Sequence, residues 1–304
     1  MFKRTKGEVV FDIFLYAFFA LLSFLFIYPF WNVAAMAFND AVDTNLGGIY
    51  FWPRVPTLEN FKLVLSNEKI WNGYLVTIAR TVLGTLLHVL GTGTFAYALS
   101  KKDLVFRKFY LTLCIITMFF GGGLIPSTIN MRNLGFMDNF LVFIIPGMYG
   151  IMDMIIMKSF FLSLPSSLEE SAKIDGANDM IIFFKIVVPS SKPVILPMSK
   201  PSLASLLLFS MIGHWNSWFD ANIFILKRPE LKPLQLLLNE IIMSAQGAMT
   251  SMTGGTVFNP AATSVTPYAI QLATMIIAIG PIIFIYPFFQ RYFVKGFMIG
   301  AIKE

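Results

Sequence analysis

Apolar residues in this chain come in long runs rather than in short alternating stretches. No charged residue occurs from residue 13 to residue 39. Comparable runs follow at about 73–99, broken only by Arg80 and His88, at 109–128, at 140–161 with Asp153 and Lys158 inside it, at 201–226 and at 267–290. A bilayer's hydrocarbon core takes about 20 mostly apolar residues per helix. Backbone polar groups in lipid must be satisfied within the segment, which a helix achieves. The pattern therefore predicts an all-α integral membrane protein with six transmembrane helices, the first over about 11–38 after an N-terminal tail at 1–10. The chain reads as a single transmembrane domain over 1–304.

Between the runs lie three stretches longer than turns. Residues 40–70 mix aromatic, proline and amphipathic segments, and loops of this length are commonly functional or disordered. Residues 227–264 begin "KRPELKPLQLLLNEIIMSAQ" and end in a tail rich in Gly, Ser and Thr, with the composition of a mobile finger. Residues 162–200 carry eight charged residues, four acidic and four basic. No repeat with a period of 20 to 50 residues is visible, which argues against a solenoid.

Composition sharpens this picture. Of 304 residues, 56% are hydrophobic and 13% charged, too few polar residues to cover a soluble globule. The net charge of +6 does not point to nucleic acid, because the basic residues sit in short clusters between apolar runs. That spacing is a signal of orientation instead, since Lys and Arg are retained in cytoplasmic loops. An inside N-terminus puts 15 of the 23 basic residues on the cytoplasmic side, with both termini there and loops 40–70 and 227–264 outside. A cleaved signal peptide at "FKRTK" with Ala35-Met36-Ala37 is the alternative for the first run, which is too long for it. The lone Cys114 excludes a disulfide framework within the chain. No metal-ligand cluster, catalytic dyad or phosphate-binding G-x-x-x-x-G-K-[ST] element is present: "GTGTFAYALSKK" and "GGGLIPS" lack its Gly-Lys-Ser/Thr end.

The stretch "LPSSLEESAKIDGANDMIIFFKIVVPSSKP" has a local logic of its own. Ser166 or Ser167 can cap a short helix, and Glu169 and Glu170 then meet the positive end of its dipole. Asp175-Gly176 is a stop signal. A second amphipathic run follows and ends at Pro189 and Pro193. Two short helices joined at a glycine make a compact knob. The same residues resemble the cytoplasmic coupling motif of bacterial ABC importer permeases, E-A-A-x-x-D-G-A-x5-F-x-x-I-x-L-P-x-x-x-P. Glu170, Ala172, Asp175, Gly176, Ala177, Phe183, Ile186, Pro189 and Pro193 fall at matching positions, while Ser171 stands for an alanine and Val188 for a leucine. "FWPRVPTLENFKLVL" and "GHWNSWFDANIFI" resemble the carbohydrate-uptake permeases, the group that includes the second membrane subunit of the maltose importer, and its branch importing oligosaccharides released from complex polysaccharides.

The resemblance implies a type I importer permease fold. Its knob would seat on a separate dimeric ATPase that binds ATP and Mg, so this chain needs no cofactor. Glu170 would anchor the knob, Gly176 would permit its turn and Phe183 would pack in the ATPase socket. The other implied partners are a second homologous permease, an extracellular solute-binding protein, an oligosaccharide and the lipid bilayer. The alternative for this stretch is an amphipathic loop lying on the membrane surface.

Sugars present hydroxyls and apolar ring faces, so a pathway for them needs aromatic platforms beside hydrogen-bonding groups. "GHWNSWFDAN" offers both. At about 1.5 Å per residue from Pro201, Trp215 sits roughly 20 Å up the fifth helix, in the outer half of the bilayer. Helical spacing puts His214 and Trp218 on one face and Asn216 and Asp220 on another. Membership of an interfacial aromatic belt explains the tryptophans equally well. Arg80 and His88 are candidates because polar groups in lipid are costly, though an arginine can snorkel and a lone histidine can be a packing residue. Gly121, Gly122 and Gly123 before Pro126 can unwind the third helix, form a hinge or serve close helix packing. A secondary transporter would need intramembrane acids, and only Asp153, read as near the cytoplasmic end of its helix, comes close.

Overall fold

A computed structural model describes residues 5–162, 166–183, 196–253 and 266–300. Among these residues the fold is all-helical, with one isolated β-bridge, Asn39 to Pro56. The chain divides into two compact units, Met1–Ile70 with Leu238–Pro281 and Trp71–Leu237 with Ile282–Glu304.

In the first unit, α1 (Lys6–Ala37) opens with a capping box. Thr5 Oγ1 accepts from Glu8 N and Glu8 Oε2 accepts from Thr5 N, which satisfies two of the helix's free donors. Its sides are apolar all round and exposed, with Phe14, Phe19, Leu25 and Phe26 each more than half uncovered, as a helix bathed in lipid requires. The stretch after it is built rather than loose. Short helices α2 (Ala41–Asn45) and α3 (Glu59–Leu65) are tied to the end of α1 by two buried asparagines. Asn60 Nδ2 donates to the carbonyls of Ala37 and Asn39, and Asn39 Oδ1 accepts from Val55 N at 2.7 Å. The region 40–70 is thus an ordered cap. In the second long connection a helix, α12 (Leu234–Thr253), occupies most of the expected loop. The rest of the Gly/Ser/Thr-rich tail, residues 254–265, lies outside the described residues.

The second unit is organised on α4 (Glu68–Ser100). Three of the expected runs here are not continuous α-helices. The run at 109–128 divides into α5 (Arg107–Phe119) and α6 (Leu124–Asn133), bent 117° apart. The break follows from Gly121–Gly123, with Gly123 at φ +81°, a conformation that favours glycine, and from Pro126, which fits a first helical turn but not a helix interior. The run at 140–161 starts as a 3-10 turn, Phe140–Phe143, and becomes α7 only over Ile151–Leu162, because Pro146 and Gly147 interrupt it. The fifth runs as α10 (Leu196–Asn216), stops at Ser217 and Trp218, and resumes as α11 (Phe219–Phe224). The sixth, α13 (Pro267–Gly300), is longer than the pattern predicts. By length and composition three helices can cross a bilayer among the described residues, or four if the bent α5–α6 pair is one span.

Residues 166–183 hold a short helix, a glycine turn and one further helical turn; the rest of the predicted second amphipathic run lies outside the described residues. Helix α8 (Ser166–Ile174) ends with Gly176 at φ +80°, Gly176 N donating to Lys173 O and Ala177 N to Ala172 O, a closure that satisfies its last carbonyls. Asn178 Oδ1 then caps the single turn α9 (Asp179–Ile181) by accepting from Ile181 N at 2.8 Å. The inner face of the knob joins a core with Tyr97 and Leu99 of α4, Met154, Met157 and Phe161 of α7, and Leu206 of α10.

Candidate functional site

The second unit carries an open cavity of about 500 Å³ lined by residues of α4, α6, α7, α10, α11 and the irregular stretch before α7. Its polar side chains are largely bonded to one another. Arg80 of α4, only 1% exposed, reaches across to the break between α10 and α11. It donates to Ser217 O at 3.1 Å and to both carboxylate oxygens of Asp220, at 3.3 and 2.5 Å. Asp220 Oδ1 also accepts from Ser217 Oγ and Ala221 N, so the interrupted backbone and the carboxylate are fixed together. The guanidinium lies 4.4 Å from the centre of the Phe143 ring, whose negative face supports the cation. Such a pair is costly to desolvate, and removing one partner leaves an uncompensated charge.

A second pair closes the other side. His88 Nδ1 lies 2.7 Å from Gly147 O, and Nε2 lies 2.9 Å from Asp153 Oδ2. Thr92 Oγ1 reinforces the contact by donating to Met148 O and accepting from Gly150 N. The lining also includes His214, Ser127, Ser210 and Ser217, with Phe209 and Phe224. His214 can occupy this place because α4 carries Gly84 opposite it. A Cβ there would stand 2.5 to 2.9 Å from three atoms of the imidazole.

Four of the seven candidate pathway residues thus converge: Arg80, His88, His214 and Asp220 line one cavity. The other three do not. Trp215 turns away, buried against Tyr74 and a small apolar crevice of α4 and α10, while Asn216 and Trp218 are exposed. The expected helical faces, His214 with Trp218 and Asn216 with Asp220, fail because the helix breaks at 217 and 218 and resets the periodicity. Asp153 sits in the first turn of α7, against His88, and not towards the helix's far end. The serines and Phe143 carry no sequence signal of their own. The glycines of "PGMYG" and Gly84 do, since close packing around a polar group requires them.

In the knob, Glu170 and Asp175 are exposed, Gly176 makes the turn, Ala172 is buried and Ala177 is half-buried. Glu169 lies on α8, its side chain outside the described part, and Ile186, Pro189 and Pro193 fall outside the described residues. Phe183 is 4% exposed and packs in this chain's own core, its ring 5.0 Å from Tyr97 and 6.4 Å from Phe161, and it also lines a pocket beside Asp179 and Met180.

Apolar helices long enough for a bilayer, folded around an ion-paired cavity, define the class: an all-helical membrane protein with the build of a transporter subunit. Its relatives make this specific. The chain is 34% identical over 298 residues to the polygalacturonan/rhamnogalacturonan transport system permease protein YtcP of Bacillus subtilis, covering 97% of this chain and 98% of that protein. It is 35% identical over 301 residues to protein LplC of the same organism, covering 99% and 97%. A chain from the crystal structure of a bacterial ABC transporter importing the acidic polysaccharide alginate superposes with a TM-score of 0.82 at 27% identity, covering 96% of this chain and all of that one. No sequence-family profile matches the chain. The protein belongs to the permease family of bacterial carbohydrate ABC importers.

Proposed function

We propose that the chain is one of two permease subunits of an ATP-driven importer that carries an oligosaccharide released from a complex polysaccharide across the cytoplasmic membrane. The observation that carries this reading is the full-length similarity to the YtcP permease. In this reading the membrane part has six crossings: α1, α4, the bent α5–α6 pair, the stretch from Phe140 to Leu162, α10 with α11, and α13. Both termini and the knob lie in the cytoplasm. ATP and Mg are bound, and ATP is hydrolysed, in a separate dimeric ATPase, and an extracellular solute-binding protein delivers the sugar.

The cavity is the substrate pathway of this subunit. Its volume falls within the roughly 300–1,000 Å³ of small-molecule sites. With the two ion pairs closed on themselves, His214 and the serine hydroxyls supply hydrogen bonds for sugar hydroxyls, and Phe209 and Phe224 supply apolar surface for ring faces. The knob couples to the ATPase through Glu170, Asp175 and two exposed apolar side chains, Ile174 and Met180, which are 86% and 65% uncovered.

The test is to copurify the assembly through this chain, reconstitute it with its binding protein, and offer fragments of polygalacturonan, rhamnogalacturonan and alginate. ATP-dependent uptake of one class is expected. Uptake driven by an ion gradient without ATP would replace this reading with a secondary transporter.

A further inference from the structure

The proton count of the His88–Asp153 contact can be read from its hydrogen bonds. A carbonyl oxygen only accepts, so the 2.7 Å contact with Gly147 O places a proton on His88 Nδ1. In a neutral imidazole Nε2 is then a bare acceptor, yet it lies 2.9 Å from a carboxylate oxygen, also an acceptor when ionised. Two acceptors do not hold that distance without a proton between them. An imidazole is intrinsically a stronger base than a carboxylate, so the shared proton resides on the ring.

The surroundings fit a pin between two helices. A Cβ on Gly150 would stand 2.7 Å from His88 Cε1 and 2.9 Å from Asp153 Oδ2, so only glycine admits the pair. His88 and Thr92 both fasten residues 147–150 to α4, and α7 starts immediately afterwards. From Asp153 the helix runs on through Met154, Met157 and Phe161 into the core that holds Ala172 and Phe183 of the knob. Among the described residues, the other charged or titratable groups lining the cavity are Arg80 on α4, His214 on α10 and Asp220 on α11. Of these, Arg80 and Asp220 neutralise each other. Helix α6 contributes only Ser127 and Met131, and residues 142–147 contribute no charge.

We infer that His88 is a positioning residue that holds α7 on α4 as an imidazolium paired to Asp153, and that this single bound proton is needed for movement at the cavity to reach the knob along α7. The second half of the inference rests on the reading of the knob as the ATPase contact; the first half does not.

The experiment has two arms. Nitrogen-15 NMR of the histidine rings in the membrane-embedded assembly, with the two histidines distinguished by His214→Gln, should find both His88 nitrogens protonated at neutral pH. In Asp153→Asn the amide donates to Nε2, so one ring nitrogen should lose its proton while the contact persists. ATP-coupled uptake by the wild type should fall roughly fivefold or more between neutral and alkaline pH, consistent with loss of one charge-assisted hydrogen bond. The Asp153→Asn profile should be flat within about twofold over the same range, because its hydrogen bond needs no extra proton. A bare Nε2 in the wild type at neutral pH would overturn the inference, as would an Asp153→Asn assembly that keeps the full alkaline fall. If the wild type shows no ATP-dependent uptake at any pH, the importer reading fails, while the NMR arm still decides the proton.

Discussion

The cavity and the knob are the two polar regions of this unit, and they satisfy their polar groups in opposite ways. Around the cavity, charge faces charge: Arg80 with Asp220, His88 with Asp153, each tied as well to a backbone carbonyl. In the knob the backbone is closed by its caps, while Glu170, Lys173, Asp175, Ile174 and Met180 point outward and the apolar residues that do pack face inward. A cavity whose charges are already paired can admit a hydroxylated molecule without holding an ion. A knob rigid in its backbone and open in its side chains is suited to a soluble partner.

The comparison breaks first at Arg80. Arg80→Gln leaves Asp220 without its cation and should lower stability by about 3–5 kcal/mol, read as loss of the assembled, protease-resistant chain in detergent. The Arg80→Gln, Asp220→Asn double variant should recover part of that loss, since the stranded charge is then gone. Next, Gly84→Ala forces a methyl against the His214 ring and should cost about 1–3 kcal/mol in thermal unfolding, while displacing the imidazole and reducing uptake. In the knob, Gly176→Val meets a backbone at φ +80° and should cost about 1–2 kcal/mol locally, seen as faster hydrogen exchange confined to residues 166–183 with the cavity unaffected.

The smallest effect concerns Asp138, in the link between α6 and the 3-10 turn. Its carboxylate accepts from Lys227 N at 2.6 Å and Leu226 N at 2.7 Å. The Lys227 N–H, first among these bonds, holds the carboxyl below the usual carboxylate range. A depressed folded-state value means the clamp contributes fully above the unfolded value and is lost as pH falls through the folded one. Acid should therefore loosen residues 134–139 and 225–228 together, a drift absent in Asp138→Asn; hydrogen exchange on both segments checks it.

Much of this was legible because lipid imposes a strong rule. Long apolar runs mark helices, and the acids and glycine from Glu169 to Gly176 mark the short helix and turn observed at 166–176. Where the rule ran out, the reason is local chemistry. The triple glycine, Pro146-Gly147 and Ser217 break helices that hydropathy alone draws as continuous, since hydropathy registers solvent and not backbone geometry. Arg80 and His88 stand out as polar residues in apolar runs, but their partners, Asp220 and Asp153, lie 140 and 65 positions away, a pairing no spacing rule supplies. Phe183 shows a related limit: a motif position says that a residue matters, and only packing shows it against Tyr97 and Phe161.

In the proposed importer this chain is driven by a separate ATPase through residues 166–183. ATP hydrolysis and oligosaccharide uptake by the reconstituted assembly carrying Glu170→Lys test this coupling. Membrane insertion and basal hydrolysis should be normal and uptake lost; uptake equal to that of the wild type would show that the knob does not transmit the drive.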